Sequence, residues 1–203
     1  MVAAACAGHL DAVKAICKQL HNEFEPSDAK ACEAAAANGH LDCLRFLHAN
    51  GCPWDANTCN AAAENGRLTC LGYACNNGCP RDDDTCTKAA AGGHLECLQF
   101  LRDKSCFWNE ATCAAAAAGG HLRVLEWLRS AGCPWDSSTC ESAVSSWHLD
   151  VLGFARENGC PWDSEPGGTE TRGVRETATK TAKDADDASG DLEAQRPAKK
   201  RRN

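Results

Sequence analysis

"GHLDCLRFLHANGCPWDANTC", from Gly39 to Cys59, is written again as "GHLRVLEWLRSAGCPWDSSTC", from Gly120 to Cys140. Working outward from this pair, His40, Arg67, His94, His121 and His148 occupy one column at a step of 27, and His9 precedes them at 31, so a four-residue insertion separates the first unit from the second. The loop motif keeps the step, reading "GCPWD" from Gly51, "GCPRD" from Gly78, "SCFWN" from Ser105, and "GCPWD" again from Gly132 and Gly159. Six units result. A fixed step of this size places the chain among repeat proteins, in which each unit packs only on its neighbours.

Two apolar patterns alternate within a unit. After the Gly-His step come three columns spaced three apart: Leu10, Leu41, Leu68, Leu95, Leu122 and Leu149; then Val13, Leu44, Leu71, Leu98, Leu125 and Leu152; then Ile16, Leu47, Ala74, Leu101, Leu128 and Ala155. This is the stripe of an amphipathic helix. Its polar positions begin mostly acidic (Asp11, Asp42, Glu96, Asp150) and end mostly basic (Arg102, Arg129, Arg156), the order that suits the helix dipole. The other half-unit reads "DANTCNAAAENG" from Asp55. Asp55 and Asp136 are placed to cap a second helix, and Gly39, Gly66, Gly93 and Gly120 to end it in the left-handed conformation. Between cap and glycine runs a stripe of Thr, Cys, Ala and Ala. The expectation is an all-α stack of about six helix pairs. Inner helices carry small residues and outer helices carry bulk, including Phe46, Tyr73, Phe100, Trp127 and Phe154, so the stack should curve.

Composition changes after Asp163. Residues 164–203 are Gly, Ser, Thr, Ala and charge, too poor in apolar surface to offset ordering entropy, so a repeat domain over 1–163 and a disordered tail over 164–203 are expected. The repeat region holds 20 acidic residues against 12 basic ones, a poor match for a phosphate backbone, which argues against nucleic-acid binding by the repeats. The N-terminal "MVAAACAGHL" has neither a basic n-region nor an apolar stretch long enough for a signal or a membrane span, and begins inside a unit, which implies a clipped first helix or a missing upstream part.

"GHLDCLRFLHANGCPWD" resembles the second helix and exit loop of the ankyrin repeat, and "TCNAAAENGR" resembles its T-P-L-H-x-A-A-x-x-G-H line with one residue fewer. The resemblance covers residues 1 to 163 in all six units. It departs from the family in a unit of 27 residues rather than about 33, and in a Cys where the family has Pro after Thr. The missing residues fall between Asp55 and Thr58, where ankyrins carry a β-hairpin finger, so the finger should be reduced. The resemblance implies binding of another protein on the concave face of the stack.

Of the 16 cysteines, thirteen lie in three columns. Cys43, Cys70 and Cys97 exchange with Ala12, Val124 and Val151, so that position asks for a small apolar group. Cys32, Cys59, Cys86, Cys113 and Cys140 lie on the inner-helix stripe, and Cys52, Cys79, Cys106, Cys133 and Cys160 in the exit loop. Buried free Cys behaves as a small hydrophobe. No C-x-x-C occurs, and neighbouring units, roughly 8 to 10 Å apart as packed helices are, cannot bring equivalent thiolates onto one zinc with bonds of about 2.3 Å. Cys6, Cys17 and Cys75 fit no column, and Cys17 and Cys75 are expected to be the exposed thiols. The Gly-His histidines recur without a fixed nucleophile or carboxylate partner and read as helix-entry residues, with Arg67 standing in for one. Trp54, Trp108, Trp135 and Trp162 are expected to wedge between units rather than to stack on a ligand, and Trp147, where the helix-ending Gly should be, marks unit six as atypical.

These features point to a non-catalytic protein-interaction scaffold that takes no cofactor. The alternative is a cysteine-rich metal-binding or redox-responsive protein. No phosphate loop, nucleophile elbow or zinc-hydrolase helix supports an enzyme. On the inner helices, the columns Glu33, Asn60, Thr87, Ala114, Glu141 and Ala37, Glu64, Ala91, Ala118, Ser145 lie four apart and share a face. Residues needed for packing stay constant while these vary, so Glu33, Asn60, Glu64, Thr87, Lys88 and Glu141 are expected to be exposed and to contact an unidentified protein partner. The terminal "RPAKKRRN" offers Arg196, Lys199, Lys200, Arg201 and Arg202 to an import receptor, or is simply a solvated charged end. The expected location is intracellular, cytoplasmic with access to the nucleus through that run, and no membrane partner is expected.

Overall fold

The computed structural model describes residues 1–20 and 23–162. Both parts of the tail reading, the disordered segment and the basic run from Arg196 to Arg202, lie outside the described residues. The described residues form α1 (Val2–Cys6) and α2 (Leu10–Gln19); α3 (Ala29–Asn38) and α4 (Leu41–Ala49); α5 (Ala56–Glu64) and α6 (Leu68–Asn76); α7 (Asp84–Ala91) and α8 (Leu95–Asp103); α9 (Glu110–Ala118) and α10 (Leu122–Ser130); and α11 (Ser137–Ser145) and α12 (Leu149–Glu157). Odd-numbered helices are the inner helices and even-numbered helices the outer ones. No strand occurs among the described residues, and the exit loop passes from Cys52 through Asp55 straight into α5, so the finger is absent rather than merely short.

Both helix ends are set by local chemistry. The Asp55 side chain accepts from Asn57 N at 3.1 Å and Asp136 from Ser138 N at 3.0 Å, as their column requires. Each inner helix ends in a Schellman turn: in unit two Gly39 is left-handed at φ 80° and His40 N–H reaches the Ala35 carbonyl at 2.9 Å. The outer helix repeats the device, with Gly51 at φ 84° and Cys52 N–H on the Leu47 carbonyl at 3.0 Å. Units two to six each carry two left-handed stops, which is what turns the chain back twice in so few residues, while unit one carries Gly8 alone among the described residues.

Packing follows the sequence stripes. Thr58, Thr85, Thr112, Thr139 and the Cys and Ala of the inner stripe are fully buried, and each interior inner helix packs closely on the inner helices to either side. Outer helices meet their neighbours more sparingly, through Leu44, Leu47, Leu71, Leu98, Leu101, Leu125 and Leu128, all fully buried. Each of these leucines contributes about 1.5–3 kcal/mol by leaving water, and that term holds a stack whose inner residues are too small to do so alone.

Three of the four loop tryptophans, Trp54, Trp108 and Trp135, lie between units, each between a side chain of its own outer helix and a ring of the next. His48 stacks on Trp54 at 3.7 Å, and Tyr73 meets the indole edge-on at 6.1 Å. Arg102 lies over Trp108 at 4.2 Å with Trp127 beyond at 5.7 Å, and Arg129 over Trp135 at 4.0 Å with Phe154 beyond at 6.3 Å. In the third unit, where Arg81 replaces Trp, the cation position is Cys75 instead, so both members of the stacked pair change together.

One thiol differs from expectation. Cys17 is 1% exposed, its Sγ 3.9 Å from Met1 Sδ, whereas Cys6 is exposed and Cys75 half-buried. Ala12 is exposed, although Cys43, Cys70, Cys97, Val124 and Val151 in its column are buried. The buried face of α2 moves to Val13 and Cys17, one turn apart.

Candidate interaction face

The inner helices place Glu33 on α3, Asn60 and Glu64 on α5, Thr87 and Lys88 on α7, and Glu141 on α11. Glu64 and Glu141 are exposed, and Glu33, Thr87 and Lys88 are half-buried. Asn60 is not exposed as expected: it is 9% accessible, because its amide Nδ2 donates to Asp82 Oδ2 at 3.0 Å and its Oδ1 accepts from the Thr85 hydroxyl at 2.7 Å. Those two partners stand at the start of α7, so Asn60 bonds unit three to unit four.

The other variable positions are paired in the same way. Lys88 Nζ donates to Glu64 Oε1 at 3.3 Å, and the Thr87 and Thr112 hydroxyls are 3.3 Å apart. Pairs 24 or 25 residues apart thus link consecutive inner helices, and some of the variation among units is complementary between neighbours. With both side chains about half exposed, the Glu64 and Lys88 pair contributes at most about 1 kcal/mol. It leaves a charged, polar patch over α5 and α7, flanked by the alanine-lined surfaces of α3 and α9.

The Gly-His histidines stand at the N-cap of each outer helix but make no side-chain cap bond. Their rings point to the preceding unit. His40 Nε2 donates to the Cys6 carbonyl at 3.0 Å and His121 Nε2 to the Ala91 carbonyl at 2.9 Å, while Arg67 Nε does the same to Ala37 O at 3.2 Å. The ring also covers the left-handed glycine one unit back, so closely that a Cβ at Gly66 or Gly93 would sit 2.5 Å from it. The column is an inter-unit clasp on the last turn of an inner helix. Trp147 takes the glycine place in unit six at φ 62° and is 84% exposed.

The thiols form a second array that column reading did not foresee as pairs. The inner-stripe Cys and the exit-loop Cys of one unit, twenty residues apart, share a hydrogen bond in Cys32 and Cys52, Cys59 and Cys79, Cys86 and Cys106, Cys113 and Cys133, and Cys140 and Cys160. Burial and these neighbours push most of the thiols up; Cys160 reaches about 12, mainly by burial and then by Cys140. Cys106 goes the other way and is lowered, first by the Cys86 hydrogen bond and then, against burial, by Arg81 and the Phe107 N–H. Among the described residues no group of three or more His, Cys, Asp or Glu side chains is placed to hold a metal ion. No helix of the described residues is long and apolar enough to cross a membrane.

No family model and no curated protein matches this sequence. Solved structures do: the crystal structure of the human ASB11 ankyrin repeat domain superposes with a TM-score of 0.63 over 80% of this chain and 84% of that one, at 17% identity. The chain therefore has the fold of an ankyrin-repeat-like helical solenoid, built from units shorter than those of the family it resembles.

Proposed function

We propose that the chain is a non-catalytic scaffold that binds a protein partner on the concave, inner-helix side of its stack. The ankyrin-repeat fold is in general a protein-interaction scaffold and is typically non-catalytic. Fold alone names no partner, so the reading needs a site. The observation that carries it is the polar patch of Glu64 and Lys88, bordered by Glu33 on one side and Thr87 on the other, on a surface otherwise lined by alanine. Small residues let a partner segment approach the helices closely, and the charges fix its register. Asn60 supports the patch from below rather than touching a partner.

The test exploits the ion pair. Exchanging the two charges, Glu64→Lys with Lys88→Glu, keeps the pair and its contribution to folding but inverts the pattern a partner meets. After affinity capture from the native cell and mass spectrometry, the captured protein should bind the exchanged variant at least tenfold more weakly. Charge changes at Arg45 or Glu126 on the outer helices should leave binding unaltered. Equal binding by the exchanged variant, with loss at Arg45 or Glu126, sinks the assignment of this face. The basic run from Arg196 to Arg202 is proposed as an import address. A fluorescent fusion lacking residues 196–203 should lose nuclear signal, and an unchanged distribution refutes it.

A further inference from the structure

Three departures from the repeat, two in unit four and one in the loop that precedes it, converge on one sulfur. In the loops carrying Cys52, Cys79, Cys133 and Cys160 the next residue is proline, and each thiol donates to a backbone carbonyl, those of Asp28, Asp55, Asn109 and Asp136, at 3.5, 3.2, 3.4 and 3.1 Å. Proline has no N–H to offer. Phe107 replaces it after Cys106, and its N–H donates to the Cys106 sulfur, which also accepts from the Cys86 thiol. Arg81, where Trp54, Trp135 and Trp162 stand in three other loops, brings a guanidinium to the same loop and donates to the Lys104 carbonyl at 3.5 Å. A surface cavity of about 570 Å³ lies at this cysteine, lined by Arg102, Ser105, Cys106, Phe107, Trp108 and Pro134. The other exit-loop thiols donate to a backbone carbonyl; Cys106 instead has a backbone N–H and a cation beside it, the surroundings in which a thiol becomes a nucleophile.

We propose that Cys106 is a peroxide-reactive cysteine and Cys86 its resolving thiol, the pair closing to a disulfide within unit four when a hydroperoxide enters the Trp108 cavity. The Cys106 thiolate attacks the terminal peroxide oxygen, forming an S–O bond as the O–O bond breaks. Sulfur is oxidised by two electrons to the sulfenic acid, and hydroxide (or an alkoxide) leaves. The Cys86 sulfur then attacks the Cys106 sulfur, the S–O bond breaks, and the departing oxygen leaves as water with the Cys86 proton. With hydrogen peroxide, two thiols and one peroxide give one disulfide and two waters. The groups that face Cys106 are Cys86 from α7, Arg81 and Asp83 from the loop before it, Cys75 from α6, and Arg102, which shares the cavity. Arg81 favours the thiolate and Asp83 opposes it with smaller weight. Neither step requires the proposed partner, so this chemistry stands or falls apart from the scaffold reading.

The experiment uses the full, reduced chain. Iodoacetamide labelling is followed by peptide mass spectrometry across pH, and hydrogen peroxide is added in a separate arm. Cys106 should label with a midpoint below the ordinary thiol value, and peroxide should produce a Cys86 to Cys106 disulfide before any other. Arg81→Trp, which copies the other loops, should move the labelling midpoint up by about one unit. Phe107→Pro should act in the same direction. In Cys86→Ser, peroxide should leave a Cys106 sulfenic acid that dimedone traps, and helical circular dichroism verifies that each variant is folded. An alkaline labelling midpoint at Cys106 in the parent chain, a midpoint unmoved by Arg81→Trp, or peroxide treatment that joins other cysteines or none, overturns the proposal.

Discussion

Replacing Gly93 by Ala tests whether the histidine clasp holds the units together. Gly93 has φ 75°, and a Cβ built there would lie 2.5 Å from His121 Nδ1 and 2.6 Å from Cε1. The left-handed backbone costs an alanine about 1–2 kcal/mol. The ring must also swing away, losing its bond to the Ala91 carbonyl at 2.9 Å, worth about 0.5–1.5 kcal/mol. The expected destabilisation is therefore about 1.5–3.5 kcal/mol. Gly132 supplies the control, since it has φ 83° but nothing within 4 Å of its would-be Cβ. Gly132→Ala should thus cost only the backbone share, about 1–2 kcal/mol. Urea unfolding followed by circular dichroism measures both. The double variant Gly93→Ala with His121→Ala should cost about 0.5–1.5 kcal/mol less than the sum of the two single changes, because the clash and the clasp involve the same ring. Equal losses at Gly93 and Gly132, with additive single changes, would falsify the clasp.

Trp147→Gly should stabilise the chain by about 1 kcal/mol through relief of the left-handed strain at φ 62°, and a lower urea midpoint would contradict that account. Arg129→Ala removes the guanidinium over the Trp135 ring at 4.0 Å and should cost about 0.5–2 kcal/mol, read in the same assay against Arg123→Ala, an exposed arginine outside the stacked column. Alkaline pH should destabilise the fold. Burial, with Glu96 adding, raises Cys97 from 9.0 to about 11, so its stabilising contribution is full below pH 9 and is lost as pH rises towards 11. Cys97 is 1% exposed, and a shift of this size corresponds to about 2–3 kcal/mol. Cys97→Val, matching Val124 and Val151 in its column, should leave stability at pH 7 nearly unchanged and flatten the fall between pH 9 and 11. An identical alkaline fall in the variant would refute the assignment.

Much of this architecture is legible in one chain because the repeat acts as its own alignment. Columns that tolerate only Leu, only small residues or only glycine reveal burial and left-handed backbone directly, since those constraints act on each residue through its own unit. The stops at Gly39 and Gly51, the caps at Asp55 and Asp136, and the inner and outer stripes all belong to this local class. Relations between units were harder to read, because a contact across 20 to 30 residues leaves a trace only as two positions changing together. The exchange of Trp for Arg81 alongside a cation for Cys75 was such a trace, as were Glu64 with Lys88 and Phe107 in a proline column. None of them shows on a helical wheel. The sequence by itself determined the period, the two helices of each unit and their buried faces, because hydrophobic periodicity and backbone stereochemistry are local. The tertiary structure alone decided that the histidines clasp the preceding unit, that Asn60 is buried between units, that Cys17 turns inward and that Cys106 has the Phe107 N–H beside it where its counterparts donate to a carbonyl. Each of these depends on what the neighbouring unit presents at a few ångströms, a distance that spacing along the chain does not encode.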